Sequence, residues 1–200
     1  FGPGCEALSC TGKATITNMG AELGATTSVF PYDERMGDYL KGTRRADLAE
    51  LAAENTDLLT ADAEVAANPG EFYDRVVTID LSTLEPHLVG PHSPDIAHPL
   101  SQMAEDCRRE DYPPVISAAL IGSCTNSSYE DIGRATQIAQ QALDGGLDMK
   151  VPLLITPGSD QVYETIKRDG QLAVLEKLGA TVLTNACGPC IGQWRRDDIQ

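Results

Sequence analysis

The alternation of segments between residues 115 and 184 constrains this chain more than any other feature. Residues 115–121 (VISAALI) form a continuous apolar run of strand length, and Ser127 with Glu130 reads as an S-x-x-E capping box opening a helix to about Leu143. A second strand is expected over 151–156 (VPLLIT). Ser159 caps a helix through Arg168, residues 171–178 form another that Gly179 stops, and 180–184 (ATVLT) is a third strand. Strands separated by helices need crossover connections, so a parallel sheet with right-handed crossovers is the economical architecture, and the fold class is α/β.

Two of these strands run directly into cysteines, at GSCTNSS (122–128) and NACGPC (185–190). Open parallel sheets collect ligands at the carboxyl ends of their strands, so Cys124, Cys187 and Cys190 are expected on one edge. Three thiolates beside backbone N–H groups suit an iron–sulfur cluster. A purely electron-carrying cubane normally takes four cysteines. Three leave one iron open to water or a substrate oxygen, where it can act as a Lewis acid in loss or addition of water.

Other chemistries use the same residues. Cys-Gly-Pro-Cys is also a thioredoxin-type redox tetrapeptide, which predicts a thiol–disulfide oxidoreductase. Here Asn185 and Ala186 precede the pair and Pro/Gly-rich turns surround it, instead of a Trp and a long helix. Zinc on the three thiolates is a further option, although structural zinc normally takes four ligands and no histidine stands near either motif. His87, His92 and His98 all fall in a Pro-rich connection and are weak site candidates.

Upstream, residues 9–24 read as a helix that puts Asn18 and Glu22, four apart, on one face amid small and polar residues. From spacing alone this is a solvated helix face or a surface packed near a ligand. A short strand is expected at 26–30, a helix capped by Asp33 running through Leu40 to Gly42, a helix over 46–55, an Ala- and acid-rich surface insertion at 60–72, and a strand at 75–81 (RVVTIDL). Pro86, Pro91, Pro94 and Pro99 make 85–100 an irregular connection and the expected domain boundary, dividing 1–84 from 85–200. Cys5 and Cys10 form C-x4-C with no C-x2-C after it and read as incidental thiols. Cys107 is given no role.

Composition removes several function classes. With 15 Lys plus Arg against 30 Asp plus Glu, the formal charge of −15 opposes nucleic acid and anionic membrane surfaces, which also disfavours an RNA-binding role. No apolar run approaches the roughly 20 residues of a spanning helix. Six cysteines in 200 residues are too few for a disulfide framework and point to a reducing compartment. The start at Phe1-Gly2-Pro3-Gly4 and the abrupt end at Gln200 lead us to expect a segment of a longer protein.

With SCTG (9–12), NMGAE (18–22), GATTSVFPY (24–32), GSCTNSSYED (122–131), TPGS (156–159) and NACGPCIGQW (185–194), the chain resembles the aconitase family of mitochondrial and bacterial type nearly end to end. Isopropylmalate isomerases and homoaconitases share the SCTN core but differ around it. The resemblance implies three-layer αβα domains with mainly parallel sheets. It also implies a [4Fe–4S] cluster on Cys124, Cys187 and Cys190, and catalytic roles for Asn18 and Glu22. The implied reaction is hydro-lyase conversion of citrate to isocitrate through cis-aconitate. The related substrates homoaconitate and isopropylmalate are alternatives. The implied partners are a tricarboxylate substrate and the remaining domains of the parent enzyme, which would supply the family's other acid–base residues and carboxylate-binding arginines. The implied compartment is the mitochondrial matrix or bacterial cytoplasm, and the segment is expected to be inactive alone. Lys13 departs from the family pattern, standing where an apolar residue is usual, and the 60–72 insertion is longer than in many relatives.

Overall fold

Short helices dominate from Phe1 to Pro113, the first of two compact units; the second is Pro114–Gln200. The structure, a computed structural model, describes residues 1–93 and 95–193. Pro94, Trp194 and the tail to Gln200 lie outside the described residues, and with them the end of the last family motif.

The first unit contains α1 (Pro3–Ala7), α2 (Cys10–Glu22), α3 (Glu34–Gly42), α4 (Ala46–Glu54), α5 (Thr56–Leu59), α6 (Ala63–Ala67) and α7 (Pro69–Phe72). Asp33 caps α3 as expected and Ser9 also caps α2, their side chains accepting the N–H groups of Met36 and Gly12 respectively. The 60–72 segment is largely exposed and contains two short helices, the Ala-rich α6 and the Pro-initiated α7, where only a surface insertion was expected.

Two expected strands of this unit do not form. Residues 26–30 and 75–81 belong to no strand, and Val76, Val77, Ile79 and Leu81 remain exposed. β-propensity alone does not make a strand; a ladder partner does, and none of the described residues supplies one. Conversely, the Pro-rich connection contains an antiparallel hairpin of β1 (His87–Val89) and β2 (Ala97–Pro99), which pairs Leu88 with His98. Gly90–Pro91 within its loop is a cis peptide. Helix α8 (Met103–Arg109) follows and packs on β2, so the first compact unit continues through the 85–100 segment to Pro113.

In the second unit β3 (Ala119–Gly122), β4 (Leu153–Thr156) and β5 (Ala180–Val182) form a parallel sheet in that order. Between them lie α9 (Tyr129–Asp144), α10 (Asp160–Arg168) and α11 (Gln171–Lys177). The α/β class and each expected element hold, with shorter strands. Pairing of β3 starts only at Ala119, whose N–H donates to the Pro152 carbonyl. Pro152 has no N–H to return, so the ladder goes no further and Val115 and Ile116 stay exposed.

The core joins Ile132 and Ala139 of α9, Ile166 of α10, and Leu172 and Leu175 of α11 to Leu153 and Ile155 of β4. Leu153 and Ile155 are two apart and share a face, so the three helices form one layer on that side while Leu154 and Thr156 face the other. All three strands point the same way. The loops after Gly122, Thr156 and Val182 therefore emerge at one edge of the sheet.

Candidate functional site

The Cys124 loop is built by two serines. Ser127 is fully buried and its Oγ accepts the Ser123 N–H at 3.0 Å, while Ser123 Oγ accepts the N–H groups of Thr125 at 3.1 Å and Asn126 at 2.6 Å. These bonds fold residues 123–127 into a tight turn that leaves the Cys124 side chain exposed, its Sγ 3.6 Å from Thr125 Oγ1. The capping box of α9 therefore lies one residue later than expected. Ser128 is the N-cap, its Oγ accepting the Asp131 N–H at 3.2 Å while the Asp131 carboxylate accepts the Ser128 N–H at 3.1 Å. The sequence Ser-Ser-Tyr-Glu-Asp permits both registers. Ser127 is already committed inward, which decides between them.

After β5 the chain reaches Cys187 at a bend and Cys190 within a 3₁₀ turn, Pro189–Ile191, closed by Gln193 N–H donating to the Gly188 carbonyl at 2.7 Å. This turn packs against β3, the strand that leads to Cys124. All three cysteines are exposed free thiols. The sheet thus brings both cysteine-bearing loops to its carboxyl edge. Among the described residues, no three His, Cys, Asp or Glu side chains form a group that could hold one metal ion. The donor chemistry of the edge, three unpaired thiols open to solvent, fits an iron–sulfur cluster, whereas a closed ligand set is not formed.

Asn18 and Glu22 belong to the first unit. Both lie on α2, Asn18 half-buried and Glu22 exposed as the last helical residue, one turn apart on the same face. Part of the small-residue run beside them has a local cause: the chain returns across α2, with Ala25 N–H donating to the Gly20 carbonyl, and a side chain at Gly20 would collide with Ser28 Oγ.

Two buried polar pairs in the first unit had weak signals or none in the sequence. Lys13, 2 % exposed, is ion-paired with Asp33, the cap of α3, which explains how a cation is accommodated at that apolar position. Partial burial works against ionising Asp33, but the bonds from Lys13 and the Met36 N–H hold its carboxyl below the ordinary aspartate range. Burial pushes the neighbouring Cys10 thiol up.

The second pair is His98 with Asp106, the only one of the three histidines that is buried. His98 Nδ1 lies 2.7 Å from Asp106 Oδ2, and Arg109 binds the other carboxylate oxygen. The hydrogen bond from His98, aided by Arg109 against desolvation, lowers the Asp106 pKa. His98 Nε2 is buried without a partner, and the Tyr112 ring meets the imidazole edge-on at 5.8 Å between centroids. No periodicity links a histidine in an irregular strand to an aspartate eight residues on, so only the fold reveals the contact.

The chain is thus of the parallel α/β class, with exposed thiols on two loops at the carboxyl edge of its sheet, where open sheets of this kind collect ligands. The chain belongs to the aconitase family: the family model described as aconitase family (aconitate hydratase) matches residues 1–199. It is 54 % identical over 199 residues to a probable mitochondrial aconitate hydratase of Dictyostelium discoideum, and 53 % identical over 200 residues to the mitochondrial aconitate hydratase of Schizosaccharomyces pombe. It is also 50 % identical over 202 residues to a mitochondrial homocitrate dehydratase of Saccharomyces cerevisiae. Each match covers 100 % of this chain and 25 % of the relative, so the chain spans about a quarter of the length of the curated relatives it matches. No helix among the described residues is long and apolar enough to cross a membrane.

Proposed function

We propose that this chain is the cluster-bearing segment of an iron–sulfur-dependent hydro-lyase that interconverts citrate and isocitrate through cis-aconitate. The observation that carries the reading is the pair of loops after β3 and β5, both bearing free cysteines at the carboxyl edge of one parallel sheet. In this reading Cys124, Cys187 and Cys190 hold a [4Fe–4S] cluster. When bound with one iron free of protein ligands, such a cluster supplies a Lewis acid that polarises a hydroxyl or carboxylate.

Asn18 and Glu22 are catalytic residues in this proposal. Asn18 orients the substrate through its amide. Glu22 holds or moves a proton at its carboxylate, and its exposure at the end of α2 leaves that carboxylate accessible. Residues 1–84 belong to the end of one α/β domain and 85–200 to the start and core of the next. The acidic chain carries no cluster of arginines suited to a tricarboxylate, so the remaining domains of the parent enzyme complete substrate binding, and this segment alone is inactive. The names of its relatives support a mitochondrial matrix location.

The homocitrate dehydratase relative favours one second reading, the same chemistry on a tricarboxylate longer by one methylene. Hydration of cis-aconitate and of cis-homoaconitate by the full-length protein, reconstituted anaerobically with iron and sulfide, tests both. Turnover of cis-aconitate supports the first, and turnover of cis-homoaconitate alone supports the second. Insulin reduction by Cys187 and Cys190, with no cluster formed and no need of Cys124, would replace both with a dithiol oxidoreductase.

A further inference from the structure

The loop after β4 contains no cysteine, yet it touches the loop that does. Gly158 N–H donates to the Ser127 carbonyl at 3.1 Å. A methyl group at Gly158 would stand 2.9 Å from the Ser127 carbonyl oxygen and 3.2 Å from that of Cys124, both of them backbone atoms with little freedom to yield. Ser127 in turn is fully buried, and its Oγ accepts the Ser123 N–H at 3.0 Å. The Cys124 backbone is therefore gripped from within by Ser127 and from the neighbouring strand end by Gly158.

We propose that Ser127 and Gly158 are positioning residues that fix Cys124 for cluster binding; this rests on the cluster reading of the site. Neither residue supplies a ligand. Ser127 Oγ fixes the turn that presents the thiol, and the bare Cα of Gly158 lets the β4 loop approach the Cys124 carbonyl. The turn is then set before any metal arrives. Preorganisation of this kind raises affinity because the loop need not be ordered on binding.

The test uses the full-length protein with Gly158→Ala, Ser127→Ala and, as a control, Gly133→Ala, whose added methyl in α9 meets only the Gln171 side chain at ordinary contact distance. Titration with equal ferrous and ferric iron plus sulfide against a chelator, read by cluster absorbance, is expected to show about a 10-fold or greater loss of apparent affinity in the first two variants and no change in the control. A second measurement needs no metal. In the metal-free protein, the rate of Cys124 alkylation by iodoacetamide relative to Cys187 is expected to change in both variants and to hold in the control. Should Gly158→Ala not fold, Ser127→Ala, which adds no atom, carries the same comparison. Wild-type protein that loads a cluster, with both variants loading equally well, overturns this inference alone. Weakened loading with an unchanged alkylation ratio also overturns it, since the damage is then not at Cys124. Wild-type protein that takes up no iron and sulfide overturns the cluster reading and this inference together.

Discussion

The two compact units are stabilised by different means. In the second, a continuous apolar cluster joins all three helices to the central strand, and Ile132, Ile155 and Ile166 are entirely buried. In the first, Ala49 is the one hydrophobic residue among the described residues that is fully buried, whereas Lys13, His98 and Asp106 are buried as polar pairs and many large apolar side chains stay exposed. One unit depends on apolar burial, and the other on charge pairing and helix caps. Substitutions and acid should therefore affect them in opposite order.

The largest effect is expected in the second unit. Ile155→Ala removes a fully buried side chain of the central strand from the apolar cluster, and should cost about 2–5 kcal/mol in chemical denaturation. A cost near zero would mean the apolar cluster is not what holds the sheet. In the first unit, Lys13→Met leaves Asp33 without its cation. Because Asp33 is partly screened by water, the expected loss is about 1–3 kcal/mol, with most of it recovered when Asp33→Asn is added. Failure of the double variant to recover would show that the pair does not act as a unit.

Acid sharpens the contrast further. Asp33 and Asp106 both have folded-state pKa values below the ordinary one, so the stability they confer is fully present above the unfolded value of about 3.9 and is lost as pH falls through their folded values. Hydrogen exchange, corrected for intrinsic rates, should therefore show α3, α8 and the β1–β2 hairpin losing protection as pH falls below about 4 while β4 and α11 retain theirs. Loss in the reverse order would contradict the assignment of polar pairing to the first unit.

The smallest effects lie at the surface of the second unit. Ser128→Ala removes the cap of α9 and should cost about 1 kcal/mol. Arg134→Ala breaks only an exposed pair with Glu130 and should stay within about 0.5 kcal/mol. Equal effects from Ser128→Ala and Arg134→Ala would undo the register assigned to the capping box.

The same difference explains what could be read from the sequence. From Ala119 to Val182, apolar runs, caps and helix ends agree with one another and with burial, so the strands, the helices between them, the parallel pairing and the sheet edge reached by the Cys124, Cys187 and Cys190 loops were legible. The capping register was not, because Ser127 and Ser128 both satisfy the local rule and only burial separates them. In the first unit, the cap at Asp33 was legible as a local hydrogen bond. The hairpin at β1–β2 and the His98–Asp106 contact depend on tertiary partners that no short-range pattern encodes. The strands expected at 26–30 and 75–81 failed for the converse reason, since β-branched side chains were present without a partner.

The most direct test of the central claim is the iron and sulfide content of the full-length protein after anaerobic reconstitution, with Mössbauer spectroscopy on Cys→Ser variants. The account predicts about four irons per chain in the wild type and in Cys107→Ser, and loss of that cluster in each of Cys124→Ser, Cys187→Ser and Cys190→Ser. A Cys124→Ser protein holding the wild-type content of iron and sulfide, with an unaltered spectrum, would contradict it.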